Sequence, residues 1–163
     1  MSVKVDKLNE ETLADSAAIW NDIVRDGLAF PQTETLSLEE ARTFFSAQSY
    51  TGSAVDTDSG SVVDMYVLHP NDVGRCGRIC NAGYAVKKDV RGLHLGEHLV
   101  KDSICRAREL GFRILRFNAV AASNERALKL YKRLGFTQLG VIPGGFRNID
   151  GVYEDIIPHY IVL

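Results

Sequence analysis

The sequence predicts an α/β fold in which a mixed sheet of about seven strands is flanked by four helices, in a single domain over residues 1–163. Three observations predict it. Short alternating apolar runs suited to strands take turns with longer stretches of helical period along the chain. Residues 78–120 read as strand, helix and strand, a parallel βαβ unit. At 163 residues, without repeat, linker or low-complexity tract, the chain is long enough for one full hydrophobic core.

Each element follows from its residues. Val3 and Val5 alternate with Lys4 and Asp6 in a first strand with one buried face. Thr12 is read as the cap of the first helix, with Asp15 three residues on and Leu13, Ala17, Trp20 and Val24 at helical spacing until Gly27 ends it. Pro31 makes residues 28–34 a loop. Ser37 and Glu40 form a capping box for a second helix with Leu38, Ala41, Phe44 and Phe45 on its apolar face. Residues 53–55 and 61–68 read as a hairpin about the turn cluster 56–60, and residues 78–86 as the next strand. The helix after Gly96 places Leu99, Val100, Ile104, Ala107 and Leu110 together and stops at Gly111. Ile114, Leu115, Phe117 and Val120 mark a strand; Ser123 and Asn124 cap a last helix with Ala127, Leu130, Tyr131 and Leu134 on one stripe. Two final strands are expected at 137–142 and 152–162, separated by a break at Pro143, Gly144 and Gly145. Pro158 is expected to keep the last off a central position, leaving an apolar edge that would favour a homodimer.

Composition narrows the function. The net charge is −2, from 19 basic and 21 acidic residues spread along the chain, so nothing marks a nucleic-acid or membrane surface, and a small substrate is the expected partner. Cys76, Cys80 and Cys105 form no CxxC pair, and no secretory signal or membrane-length apolar run is present. A soluble protein of the reducing cytoplasm, without metal, is expected.

Residues 84–96 carry the first chemical signal. A strand that passes through a basic, glycine-containing turn into a helix start presents unpaired N–H groups in one direction, which suits phosphate. The segment lacks the Lys-Ser or Lys-Thr of a P-loop and the three glycines of a dinucleotide fingerprint. Residues 91–96 instead resemble the pyrophosphate-binding segment of the GCN5-related N-acetyltransferases, Arg/Gln-x-x-Gly-x-Gly/Ala. Arg91 and Gly96 match and Gly92 follows the arginine, while His94 stands where the inner glycine is usual. Residues 124–136 resemble a second segment of that family, with Asn124, Ala127, Leu130-Tyr131 and Leu134-Gly135-Phe136 all in place.

The resemblance implies a mostly antiparallel sheet with two splayed parallel strands at its centre and acetyl-CoA in the cleft between them. It also implies direct transfer of acetyl to an amine in a ternary complex. Donors along Tyr84, Ala85 and Val86 would hold the acetyl carbonyl and the thioester arm. Backbone N–H groups of Arg91, Gly92, Leu93, His94, Leu95, Gly96 and Glu97 would hold the pyrophosphate. Asn118, Asn124 and Ala127 would position the arm, and Tyr131 would protonate the departing thiolate.

Many relatives carry a glutamate as general base on the strand before the phosphate turn, where this chain has Asn81. An asparagine amide cannot accept a proton from an ammonium, so Asn81 is expected to orient the acceptor, with a water, Asp64, His69 or Glu34 as base. Phe30, Gln32 and Glu34 are candidate acceptor walls. Asn81 and Asn118, with Arg75-Cys76-Gly77-Arg78 and Ile142-Pro143-Gly144, look like the branch of azetidine-2-carboxylate and phosphinothricin acetyltransferases. That implies a small amine as acceptor. A protein N-terminus as acceptor, or an acyl-CoA sensor without turnover, are the alternatives.

Overall fold

The computed structural model describes residues 2–88 and 95–163. The elements run β1 (Val3–Lys7), α1 (Glu10–Asp26), α2 (Leu38–Ser46), β2 (Tyr50–Asp56), β3 (Val62–Pro70), β4 (Ile79–Val86), α3 (Leu95–Glu109) and β5 (Ile114–Phe117), then α4 (Glu125–Arg133), β6 (Thr137–Gln138), β7 (Ile142–Arg147), β8 (Tyr153–Ile156) and β9 (His159–Val162). Seven strands form the main sheet in the order β1-β2-β3-β4-β5-β9-β6, and β7 and β8 form a separate ribbon. Among the described pairs only β4 and β5 are parallel, joined by α3 as the βαβ reading expects.

Alternation along the strands sorts the core into two layers. Tyr66, Leu68, Cys80, Ala82, Leu115 and Phe117 face α3 and α4. Met65, Val67 and Ala85 face α1 and α2, where Trp20 packs on Phe30 with ring centroids 4.4 Å apart. On the α3 side an aromatic row crosses the sheet: Tyr50 to Tyr66 at 5.9 Å, Tyr66 to Tyr84 at 6.0 Å, Tyr84 to Phe117 at 5.7 Å and Phe117 to Tyr131 at 4.3 Å. Two of its hydroxyls are anchored on α3, Tyr66 donating to Asp102 at 2.6 Å and Tyr84 donating to Ser103 Oγ at 2.7 Å, whose own hydrogen goes to the Val100 carbonyl. Tyr131 is thereby tied to the sheet through a chain of tilted and edge-on ring contacts.

Several boundaries differ from the sequence reading. Asn9, not Thr12, caps α1: its Oδ1 accepts the N–H groups of Glu11 and Thr12 at 3.0 and 3.1 Å, and Thr12 Oγ1 accepts the Asn9 N–H at 3.1 Å. Thr12 is the reciprocal member of the box, three residues inside. Pro143, Gly144 and Gly145 do not break the chain but lie within β7, where the register against β8 shifts between Ile142 and Phe146. The expected last strand is two, divided at Ile157 and Pro158. β9 is internal, pairing with both β5 and β6. Pro158 stays outside both ladders and its carbonyl accepts the Leu139 N–H at 2.8 Å. The exposed edge on which self-association was expected is therefore covered by β6.

Candidate active site

The parallel pair at the centre of the sheet creates the site. β4 and β5 share three rungs, Ile79 with Ile114, Cys80 with Leu115 and Asn81 with Arg116. Beyond Asn81, β4 continues to Val86 against β3 while β5 ends at Phe117, so the strands part into a fork.

The ladder decides which amides face that fork. The Asn71 N–H donates to the Ile79 carbonyl at 2.8 Å and the Lys87 N–H to the Val63 carbonyl at 3.0 Å. These pairs bracket an unbroken antiparallel register, so Asn81, Gly83 and Ala85 exchange hydrogen bonds with β3, and Ala82, Tyr84 and Val86 turn theirs the other way. Ala82 still meets β5 beside the last rung; Tyr84 and Val86 face the gap. The Ala85 N–H, expected from sequence to face the acetyl group, belongs instead to the pair with Met65.

A cleft of about 750 Å³ opens at the fork, a size suited to a cofactor-like molecule; Tyr84, Val86, Leu95, Gly96, Asn124 and Tyr131 are among its walls. Of the expected pyrophosphate segment, Arg91, Gly92, Leu93 and His94 lie outside the described residues, while Leu95, Gly96 and Glu97 form the first turn of α3 at the cleft. Lys101 and Arg133 both bond the Glu97 carboxylate and hold its pKa down at about 2. Its charge is thus matched by two cations at the rim. Sequence reading did not single out Arg133, whose pairing with Glu97 crosses from α4 to α3 and has no local signature.

On α4, Asn124 is the N-cap, its Oδ1 accepting the Ala127 N–H at 3.3 Å; the cap leaves its NH₂ uncommitted. Ala127 lines the same wall one turn on. Tyr131 is buried between Phe117 and Phe136, with centroid distances of 4.3 and 5.5 Å, and still reaches the cleft. Burial raises its phenol above the ordinary value, so the hydroxyl keeps its proton at neutral pH.

The opposite face of the sheet holds the other expected residues. Asn81 is the register partner of His69 on β3 and of Arg116 on β5, and all three are half-buried. Phe30 is buried and closes on the next row, where a Cβ added to Gly83 would lie 3.7 Å from its ring. Gln32 and Glu34 are exposed on the loop beyond it. Asn118 is exposed too, and its amide donates to Asn71 Oδ1.

The three proposed bases separate clearly. Asp64 is fully buried on the α3 side, where its Oδ1 accepts the Lys87 N–H at 3.2 Å and desolvation pushes its pKa up to about 7. Glu34 is in solvent. His69 alone of the three stands beside Asn81; its Nδ1 is buried without a partner among the described residues, and burial lowers its pKa below the ordinary 6.5, favouring the neutral imidazole. Among the described residues no His, Cys, Asp and Glu cluster could hold a metal ion, and no helix is long and apolar enough to cross a membrane.

Comparison with known proteins places this arrangement. The Acetyltransferase (GNAT) family model matches residues 17–136. The N-acetyltransferase aca1 of Schizosaccharomyces pombe is 28% identical over 171 residues, covering 94% of this chain and 82% of the relative. The structure of a GCN5-related N-acetyltransferase from Kribbella flavida matches with a TM-score of 0.89 at 29% identity, over 99% of this chain and 98% of that one. A GNAT superfamily phosphinothricin acetyltransferase from Sinorhizobium meliloti, in complex with AcCoA, matches with a TM-score of 0.90 at 19% identity, over 100% and 89% of the two chains. With well over half of its length inside the family match, the chain belongs to the GNAT family and is an acetyl-CoA-dependent N-acetyltransferase.

Proposed function

We propose that the enzyme acetylates the amine of a small molecule, an amino or imino acid or a toxic analogue of one, by direct attack on acetyl-CoA in a ternary complex. The observation that carries this reading is the fork itself. Amides of Tyr84 and Val86 face the gap, the α4 cleft lies on one side, and Asn81 sits at the vertex on the other with buried Phe30 over the adjoining row. A buried aromatic ring on the row beside that amide suits a compact acceptor better than a peptide. The name of the S. meliloti protein, a phosphinothricin acetyltransferase, points the same way.

In this reading the acceptor amine attacks the thioester carbonyl. The developing oxyanion takes hydrogen bonds from N–H groups at Tyr84 and Val86, already oriented by the β3 ladder. The C–S bond breaks, and Tyr131, kept protonated by burial, gives its proton to the thiolate. The proton of the acceptor ammonium passes to His69, directly or through water, while Asn81 orients the acceptor. Asn124 and Ala127 border the thioester arm, and the first turn of α3 offers its N–H groups and dipole to the pyrophosphate.

The test is thiol release from acetyl-CoA with free amino acids, cyclic imino acids, phosphinothricin, polyamines and short peptides, beside acetyl-CoA-dependent thermal stabilisation. Turnover confined to amino- or imino-acid acceptors is the expected result. Turnover on peptides alone, or stabilisation without turnover on any acceptor, would overturn the small-molecule reading.

A further inference from the structure

The last rung before the fork carries a cation that the reaction described so far does not use. Leu115 and Phe117 belong to the α3 and α4 layer, so Arg116 between them faces the α1 and α2 side. Register aligns His69, Asn81, Arg116 and Tyr160 in one row across β3, β4, β5 and β9 on that face. Arg116 Nε is buried without a partner among the described residues, as is His69 Nδ1. The described ion pairs engage Arg25, Arg42, Arg106 and Arg133 and leave Arg116 out. A half-buried guanidinium with a sheltered, unfilled donor, in the same cross-strand row as an unfilled imidazole on the far side of Asn81, gives this face of the sheet two vacant hydrogen-bonding positions.

We infer that Arg116 reads the carboxylate of the acceptor, making this enzyme specific for amines that carry an α-carboxylate. The inference rests on the small-molecule reading above and adds the group that selects within it. A planar guanidinium binds a carboxylate through parallel charge-assisted hydrogen bonds, and it is the side chain best matched to that anion. Position supports the assignment as much as charge. Tyr84, the gap-facing amide nearer the vertex, stands three residues beyond Asn81, roughly 10 Å along β4. The long arginine side chain and an α-amino acid can span that distance together, which would place the amine on the thioester side of its own carboxylate. Asn81, on the adjacent strand of the same rung, is left to hold the amine or a water, and His69 flanks it from β3. A polyamine has nothing to offer Arg116, and an N-terminal peptide residue has lost its carboxylate to the next peptide bond.

The experiment measures acetyl transfer to a panel of amino acids and cyclic imino acids, L-proline and azetidine-2-carboxylate included, each beside its own carboxamide. Wild type, Arg116→Gln and Arg116→Lys are compared, with acetyl-CoA-dependent stabilisation reporting that each variant folds. The wild type should favour acids over carboxamides. Arg116→Gln should raise the acceptor KM for the acid about 10- to 100-fold, move the carboxamide KM far less and leave the acetyl-CoA KM where it was, and so erase the preference. Arg116→Lys, which keeps the charge and loses the fork, should recover part of it. If Arg116→Gln does not fold, a carboxamide-insensitive rise in KM for the acid in Arg116→Lys decides alone. Equal wild-type use of acid and carboxamide, or an unchanged acid KM in the variants, overturns the carboxylate assignment and leaves small-amine acetylation standing. Wild-type turnover on none of the panel overturns both.

Discussion

Replacing Asp64 by asparagine isolates the cost of a buried acid beside the fork. Asp64 is fully buried; Oδ1 accepts the Lys87 N–H at 3.2 Å, and Oδ2 has no partner among the described residues. Desolvation raises its pKa from 3.8 to about 7 in the folded protein. Between those values the native state holds a proton that the unfolded chain has lost, so stability falls as pH rises from about 3.8 to about 7 and is flat above. At 1.36 kcal/mol per pKa unit the full loss is about 4 kcal/mol, of which about 2.5 kcal/mol falls between pH 5 and pH 8. Asparagine keeps the acceptor for Lys87, copies the protonated shape and cannot ionise. The variant should therefore gain on the wild type as pH rises. For a chain of this size 1 kcal/mol moves Tm by about 2–4 °C, so the gap between the two melting temperatures should widen by about 5–10 °C from pH 5 to pH 8. Thermal melts at four pH values in constant ionic strength measure it directly. A gap that stays constant across that range would mean that Asp64 is ionised in the native state throughout, and the burial argument would be wrong.

Other substitutions test the remaining steps. Tyr131→Phe keeps the ring packing on Phe117 and Phe136, so stability and acetyl-CoA affinity should hold while kcat falls by about 10²–10⁴, as expected for loss of a general acid; an unchanged kcat removes Tyr131 from the mechanism. His69 must be neutral to accept a proton, and burial lowers its pKa, so kcat should rise with pH along a limb below 6.5 and level off above it. His69→Gln should lower kcat and abolish that limb, whereas a retained limb would assign it to another group. Gly52→Ala would bring a Cβ to 2.3 Å from Tyr66 Cε1, a ring held by its bond to Asp102, and urea unfolding should show a loss of about 1–3 kcal/mol. Asn9→Ala removes the α1 cap, at the opposite end of that helix from its cleft residues Ile23 and Asp26, and should cost about 1 kcal/mol in the same assay without altering kcat.

The sequence by itself determined the element order as far as the last helix, the βαβ unit, the Asn124 cap, the Gly27 stop and the family, because each rests on local period, local capping chemistry or a contiguous motif. Contacts between distant segments were decided only in the tertiary structure. Whether a backbone N–H is free depends on the neighbouring strand, so it was the β3 register that took Ala85 out of the gap and left Tyr84 and Val86 facing it. Pro158 looked like an edge signal, yet it precedes an internal strand, because the chain crosses from the β7–β8 ribbon back into the sheet just there. Asp64 and His69 were indistinguishable as bases along the chain; strand alternation sent one beneath α3 and the other to the side of Asn81. Arg116 is one charged residue in the apolar run Ile114, Leu115, Arg116, Phe117, and only the pairing of β5 between β4 and β9 placed it at the vertex of the fork. A strand's period tells which face a residue takes, and the partners on that face come from the long-range pairing of the sheet.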